Sequence, residues 1–143
     1  MPGLSRELVE HQLPIKEGFR PYKQPSRRFN LEIYDRVKEE VNQLLEANVI
    51  RTCRYADWIS NIVPVEKKGS DKIRICIDFR NLNRAIPKDE NPMPIANMLI
   101  NDAYGHEIIS FLYGNTGYNQ IFMTEDDISK IAFRCPSFVG LFE

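Results

Sequence analysis

The chain is poor in the residues that usually carry dedicated chemistry. Its three cysteines, Cys53, Cys76 and Cys135, are odd in number and far apart, with no C-x-x-C pair and no histidine at ligand spacing. That pattern argues against a disulfide framework and offers no zinc site. The two histidines, His11 and His106, are distant singles from which neither a metal cluster nor an acid–base pair can be built. No run approaches the roughly 18 apolar residues of a membrane span, and no basic-then-apolar leader opens the chain. The expectation is an intracellular protein with reduced thiols, cytoplasmic and nuclear locations being indistinguishable. Charge of one sign is lacking too: 19 Lys and Arg against 20 Asp and Glu leave a net −1, so the whole molecule exerts no pull on a polyanion.

What is present is an ordinary globular composition with one concentrated feature. Hydrophobic content of 43% and aromatic content of 10% over 143 residues suit a single domain and exclude wholesale disorder. Between residues 67 and 84, six Lys or Arg stand against Asp71 and Asp78, a local balance of +4. The surrounding stretch, Trp58 to Asn83, reads as two strands joined by a short basic hairpin. Ile62, Val63 and Val65 mark the first strand, and Gly69-Ser70-Asp71 supplies turn chemistry. Ile73, Ile75 and Ile77 then alternate with Arg74, Cys76 and Asp78 at period two. Lys67, Lys68, Lys72 and Arg74 fall at or near the tip, placed either to meet phosphates or to guard a solvated edge hairpin against aggregation.

Elsewhere the pattern is mixed α and β. Residues 1–28 carry Pro14, Pro21 and Pro25 at spacings that suit an extended arm, whose Lys16, Arg20, Lys23, Arg27 and Arg28 are open to nucleic acid or to solvent alike. Asn30 is a candidate N-cap, and Leu31, Tyr34, Val37, Val41, Leu44 and Leu45 recur at helical spacing to about Ala47. Asn81 to Asn91 reads as a polar connection, and Pro92 and Pro94 open a short helix through Ile95, Met98 and Leu99. Glu107 to Tyr113 reads as a buried strand, Gly114 to Gln120 as a turn, and Ile121 to Met123 as a strand. Glu125 to Lys130 reads as a polar helical turn, and Ile131 to Arg134 with Phe138 to Phe142 as final strands.

The wording of these segments is specific. VEKKGSDKIRICIDFRNLN resembles the fingers subdomain of reverse transcriptases of the Ty3/gypsy class of long-terminal-repeat retrotransposons. The likeness extends from about His11 to Glu143 through LPIKEGFRPYKQ, LLEANVI, NPMPIANML, FLYGNTGYNQIFM and KIAFRCPSFVGLFE, in the family's order. It implies an α+β fold, the fingers and incomplete palm of a right-hand polymerase, truncated before the second catalytic motif. The implied division is an arm over 1–28, a fingers-like region over 29–104 and a partial palm over 105–143.

The same resemblance implies roles. Lys67, Lys68 and Arg74 take positions that contact the incoming triphosphate, Tyr118 is the aromatic ring under the sugar, and Gln120 follows it. Lys72, Arg80 and Arg84 face a nucleic-acid backbone, although Asp78 and Arg80, two apart on one polar face, are equally placed to pair with each other. Family partners are an RNA or DNA template–primer and a deoxynucleotide, with the remaining polyprotein segments beside them. Family chemistry uses two Mg²⁺ ions about 3.5 to 4 Å apart on carboxylates. The first of those acids is an Asp, in whose place stands Tyr113, and the later Y-x-D-D pair is absent from the sequence. A phenol with a reference pKa of about 10 is a poor Mg²⁺ ligand at neutral pH, so no catalytic residue is intact and no metal is expected for this chain alone. Glu125, Asp126 and Asp127 read as an acidic first turn of a helix, not as substitutes. Lys130-Ile131-Ala132-Phe133 departs from the family's Lys-Thr-Ala-Phe in the same direction. The resulting expectation is a polymerase-derived segment that is inactive alone. The alternative is a non-enzymatic nucleic-acid-binding or interaction segment that needs another chain to complete its palm sheet.

Overall fold

A computed structural model describes residues 4–110, 120–136 and 140–143. The long amphipathic stretch forms helix α1 (Leu31–Glu46), which buries Val37 and Val41. Asn30 precedes it in extended conformation without a side-chain cap bond, whereas Asn48 closes the other end at φ +53°, the left-handed geometry that ends many helices. Beneath α1 lies a five-stranded mixed sheet of order β2-β7-β6-β3-β4, built from β2 (Thr52–Cys53), β3 (Ser60–Glu66), β4 (Ile73–Ile77), β6 (Phe133–Arg134) and β7 (Leu141–Phe142). The sheet thus draws strands from both sides of residue 105.

Register explains where the basic hairpin stands. Ser60 and Asn61 pair in parallel with Phe133 and Arg134, while Ile62 to Glu66 pair antiparallel with Ile77 to Ile73. Beyond Asn61, β4 is the only strand beside β3 among the described residues, so the outer half of the pair is a two-stranded ribbon. Pro64 sits in that half, where the missing N–H is tolerated on an open edge. Val37, Val41, Ile62, Ile73, Phe133, Cys135 and Phe142 form the main core, with the Phe133 and Phe142 rings stacked at 5.7 Å. The ribbon is therefore anchored at its base by β6 and packed along one face by α1 as far as Ile73, which pairs with Glu66 at its outer end.

Two sequence expectations are corrected. Asn81 to Asn91 is not all connection, because Arg80–Ala85 forms helix α2. Its Leu82 and Ala85 bury against Trp58, and that apolar burial outweighs the polar look of Arg-Asn-Leu-Asn-Arg-Ala. The arm is extended but does not stand apart. Leu13 and Ile15 pack on the Trp58 cluster, Glu10–His11 (β1) pairs in parallel with Phe122–Met123 (β5), and Lys23 bridges Ile59. Apolar side chains spaced between the prolines decide this. Glu107 to Ser110 form no strand, and Ile108 is 87% exposed. The rest of that predicted strand, with Tyr113, lies outside the described residues, as do Gly114 to Asn119 of the predicted turn.

The other elements stand near their expected places. Helix α3 (Ala96–Ala103) starts just after the two prolines and buries none of its residues. Helix α4 (Glu125–Ile128) runs into a 3-10 turn over Ser129–Ile131, matching the expected polar turn. Among the described residues no helix is long and apolar enough to cross a membrane.

Candidate nucleic-acid interface

The ribbon ends in a tight turn defined by the backbone. The Lys67 N–H donates to the Lys72 carbonyl at 2.9 Å, closing the ribbon, and the Ser70 N–H donates to the Lys67 carbonyl at 3.1 Å. Gly69 takes φ +77° at the third turn position, a conformation that suits glycine and that a side chain would strain. Lys67, Lys68, Lys72 and Arg74 are all exposed there. Among the described residues none of the four forms an ion pair. The period-two reading of β4 holds: Ile73 is buried and Ile75 and Ile77 half-buried, while Arg74 and Cys76 face out. The result is a cluster of unneutralised cations at the end of a projecting arm, on a chain of nearly zero net charge.

Next to the base of the ribbon lies a buried polar junction. Asp78, whose side chain is only 4% exposed, accepts from Arg80 Nε and Nη2 at 2.7 Å each and from Arg27 Nη2 at 3.1 Å. The side-on Arg80 hydrogen bonds hold the Asp78 carboxyl down at about 2, against the opposing effect of its burial. Gln24 links the arm to the sheet. It accepts from the Asn61 N–H at 2.9 Å and donates to the Asp78 carbonyl at 2.8 Å and to Asn81 Oδ1 at 2.9 Å. Asn61 Nδ2 in turn donates to the Pro25 carbonyl at 2.8 Å. Tyr22, Arg27 and Arg80 rim a shallow cavity of about 260 Å³ over this junction.

The pairing of Asp78 with Arg80 is thus present, and it occupies two of the five N–H donors that guanidinium carries. Arg84, in the last turn of α2, is exposed. Gln120 is half-buried, and its carbonyl accepts from the Leu4 N–H at 2.8 Å. Tyr118, like Tyr113, lies outside the described residues. Gln24 and Asn61 have no periodic signature. The readable hint is the polar Ser60-Asn61 pair that opens an otherwise apolar strand.

Two of the three acids of α4 are already engaged. Asp127 is buried, which pushes its carboxyl up, but hydrogen bonds from Lys130, the Leu13 N–H and the Thr124 hydroxyl outweigh that and hold it below the usual range. Glu125 pairs with Arg6 at 3.0 Å and with Arg51 at 3.3 Å. Among the described residues no three His, Cys, Asp or Glu side chains converge as metal ligands. Burial, with Glu143 beside it, raises the Cys53 thiol to about 11, away from the thiolate form.

Comparison with known proteins agrees with this architecture. No protein-family model matches the chain. It is 35% identical over 106 residues to the retrovirus-related Pol polyprotein from transposon gypsy of Drosophila melanogaster, covering 71% of this chain and 10% of that protein. It is 28% identical over 107 residues to the transposon Tf2-3 polyprotein of Schizosaccharomyces pombe, covering 75% of this chain and 8% of that one. The chain therefore spans a tenth or less of the length of these relatives. Among solved structures, the foamy viral protease-reverse transcriptase in complex with double-stranded DNA superposes with a TM-score of 0.71. That match covers 93% of this chain and 27% of the viral one at 17% identity, a likeness of fold. A reverse-transcriptase-like α+β fold, carried on a sequence that aligns with retrotransposon polyproteins, identifies the chain as a member of the Ty3/gypsy-type Pol family.

Proposed function

We propose that this reverse-transcriptase-like region holds nucleic-acid phosphates on its basic ribbon and does not polymerise nucleotides by itself. The observation that carries the reading is the cluster of Lys67, Lys68, Lys72 and Arg74, exposed and without acid partners among the described residues, at the tip of a projecting ribbon. Long cations so placed reach a polyanion without first breaking an internal ion pair, and they offer charge without a base-reading pattern. Arg84 adds exposed charge beyond the junction, and Arg80 offers the donors that Asp78 leaves over. Lys67, Lys68 and Arg74 are the positions at which the family's triphosphate contacts fall. Tyr118 is the position of the family's ring under the sugar, and Gln120 is a further nucleotide-binding position.

The lack of polymerisation rests on the sequence. Tyr113 stands where the family places its first metal-binding Asp, and a neutral phenol is a poor Mg²⁺ ligand, so the first carboxylate of two-metal chemistry is missing from its family position. In the family, Mg²⁺ activates the attacking hydroxyl and clamps the triphosphate. Binding of a labelled oligonucleotide, compared between the wild-type chain and a variant with all four tip cations replaced by alanine, tests the reading. Loss of most of the binding in the variant is expected, and equal binding would refute it.

A second reading has its own observation. Met93, Ile95, Met98, Leu99, Ile100 and Ile108 are each at least 55% exposed, an apolar surface larger than a solitary domain usually leaves to water. It supports the view that the chain works beside further polypeptide, with remaining polyprotein segments completing the palm sheet. Self-association or aggregation of the isolated chain, relieved by charged substitutions at Met98 and Ile100, is the expected sign.

A further inference from the structure

The ribbon is gripped from the side by one residue that its sequence pattern does not single out. Arg36 projects from α1 on the turn that also carries the buried Val37. Its Nη1 lies 3.6 Å from Glu66 Oε1, at the last residue of β3, and its Nη2 donates to the Asp71 carbonyl within the turn. The two contacts straddle the Lys67–Lys72 closing pair, with one anchor on each side of it. Its Nε is buried and has no partner, so the guanidinium is held by its two terminal nitrogens alone. The planar fork of arginine reaches two acceptors at once, which a single ammonium cannot do in the same geometry.

We infer that Arg36 is a positioning residue for the basic tip: by bridging Glu66 and the Asp71 carbonyl it fixes the turn that presents Lys67, Lys68, Lys72 and Arg74. This deepens the phosphate-binding reading and rests on it for its effect on binding, though not for its effect on the tip. Among the described residues the ribbon beyond Asn61 has no second sheet neighbour, so a turn left unbraced samples many orientations and must be ordered each time a ligand binds. A brace from the helix removes that cost in advance.

Two measurements on the full chain test it. The first is amide hydrogen exchange of Lys67, whose N–H closes the ribbon, in the absence of any nucleic acid. Exchange is expected to speed up in Arg36→Gln, and also in Arg36→Lys, which keeps the charge but loses the fork. Glu66→Ala, which removes the acceptor at the exposed end of the brace, is expected to do the same and guards against an Arg36 variant that fails to fold. Unchanged exchange in Glu66→Ala and in the folded Arg36 variants would overturn the inference, as would full rescue by lysine. The second is oligonucleotide affinity over a salt series. Arg36→Gln is expected to weaken binding about threefold to tenfold with an unchanged salt slope, because no phosphate contact is lost. In the four-alanine background it is expected to do almost nothing. A slope reduced by about 0.7 to 0.9, the signature of one lost phosphate contact, or an undiminished effect in that background, would make Arg36 a direct ligand and overturn its positioning role. If exchange speeds up but no oligonucleotide binds at any salt, the brace stands and the phosphate-binding reading fails.

Discussion

At the scale of single residues, the Asp78 junction shows how a charge is kept inside. A carboxylate at 4% exposure is tolerable because the side chains of Arg80 and Arg27 supply three hydrogen bonds and the Arg80 N–H a fourth, while those side chains stay at least 44% exposed to water. Asp78→Asn removes the charge and leaves two cations facing an amide, and it is expected to destabilise the chain by about 1–3 kcal/mol, read from the urea midpoint. The pH dependence follows from the same pairing. Asp78 has a depressed folded value of about 2 against roughly 3.9 in the unfolded chain, so its stabilisation is complete above about pH 4 and is lost as pH falls toward 2. Denaturation midpoints measured from pH 6 to pH 2 are expected to fall steeply below pH 4 in the wild type and less so in Asp78→Asn. Parallel curves would show that Asp78 gains nothing from its partners.

At the scale of elements, the Trp58 cluster joins three pieces distant in sequence: the arm through Leu13 and Ile15, β3 through its entry at Trp58, and α2 through Leu82 and Ala85. Leu82→Ala removes the side chain that joins them and is expected to cost about 2–5 kcal/mol. Trp58, the sole tryptophan, reports this directly. Its fluorescence is expected to shift to the red in the variant well before global unfolding, and an unshifted spectrum would place Leu82 outside the cluster. What the sequence revealed of these elements follows the same physics. Helix α1 and the alternation of β4 were legible because each buries one regular face, so burial and periodicity coincide. Helix α2 was not, since its six residues bury two positions and the rest reads as polar loop. The docking of the arm was hidden for a related reason: Gln24 and Asn61 act through backbone and amide hydrogen bonds over 37 residues, which no local pattern encodes. The tip cations were readable as a patch, but their freedom from acid partners was not, because Glu66 and Asp71 lie beside them in sequence and only the fold turns Glu66 toward Arg36.

At the scale of the whole molecule, binding to a polyanion has to come from arrangement, since the net charge is −1. The tip cations project on the ribbon, whereas most acids of α4 and the neighbouring strands are matched by Arg6, Arg51 and Lys130. Catalysis is set at the same scale, because two-metal chemistry needs acids from separate strands at once. Tyr113→Asp alone is therefore expected to yield no template-directed incorporation above a no-enzyme control. Activity in that single variant would place the catalytic acids elsewhere. The central claim, a sequence-independent phosphate grip at Lys67, Lys68, Lys72 and Arg74, is tested most directly by fluorescence anisotropy of a labelled oligonucleotide over a salt series. The account predicts a dissociation constant no tighter than about 10⁻⁶ M at physiological salt, a logarithmic affinity that falls linearly with the logarithm of salt, and a clearly shallower slope in the four-alanine variant. Affinity that ignores salt, or a slope unchanged by the four substitutions, would contradict it.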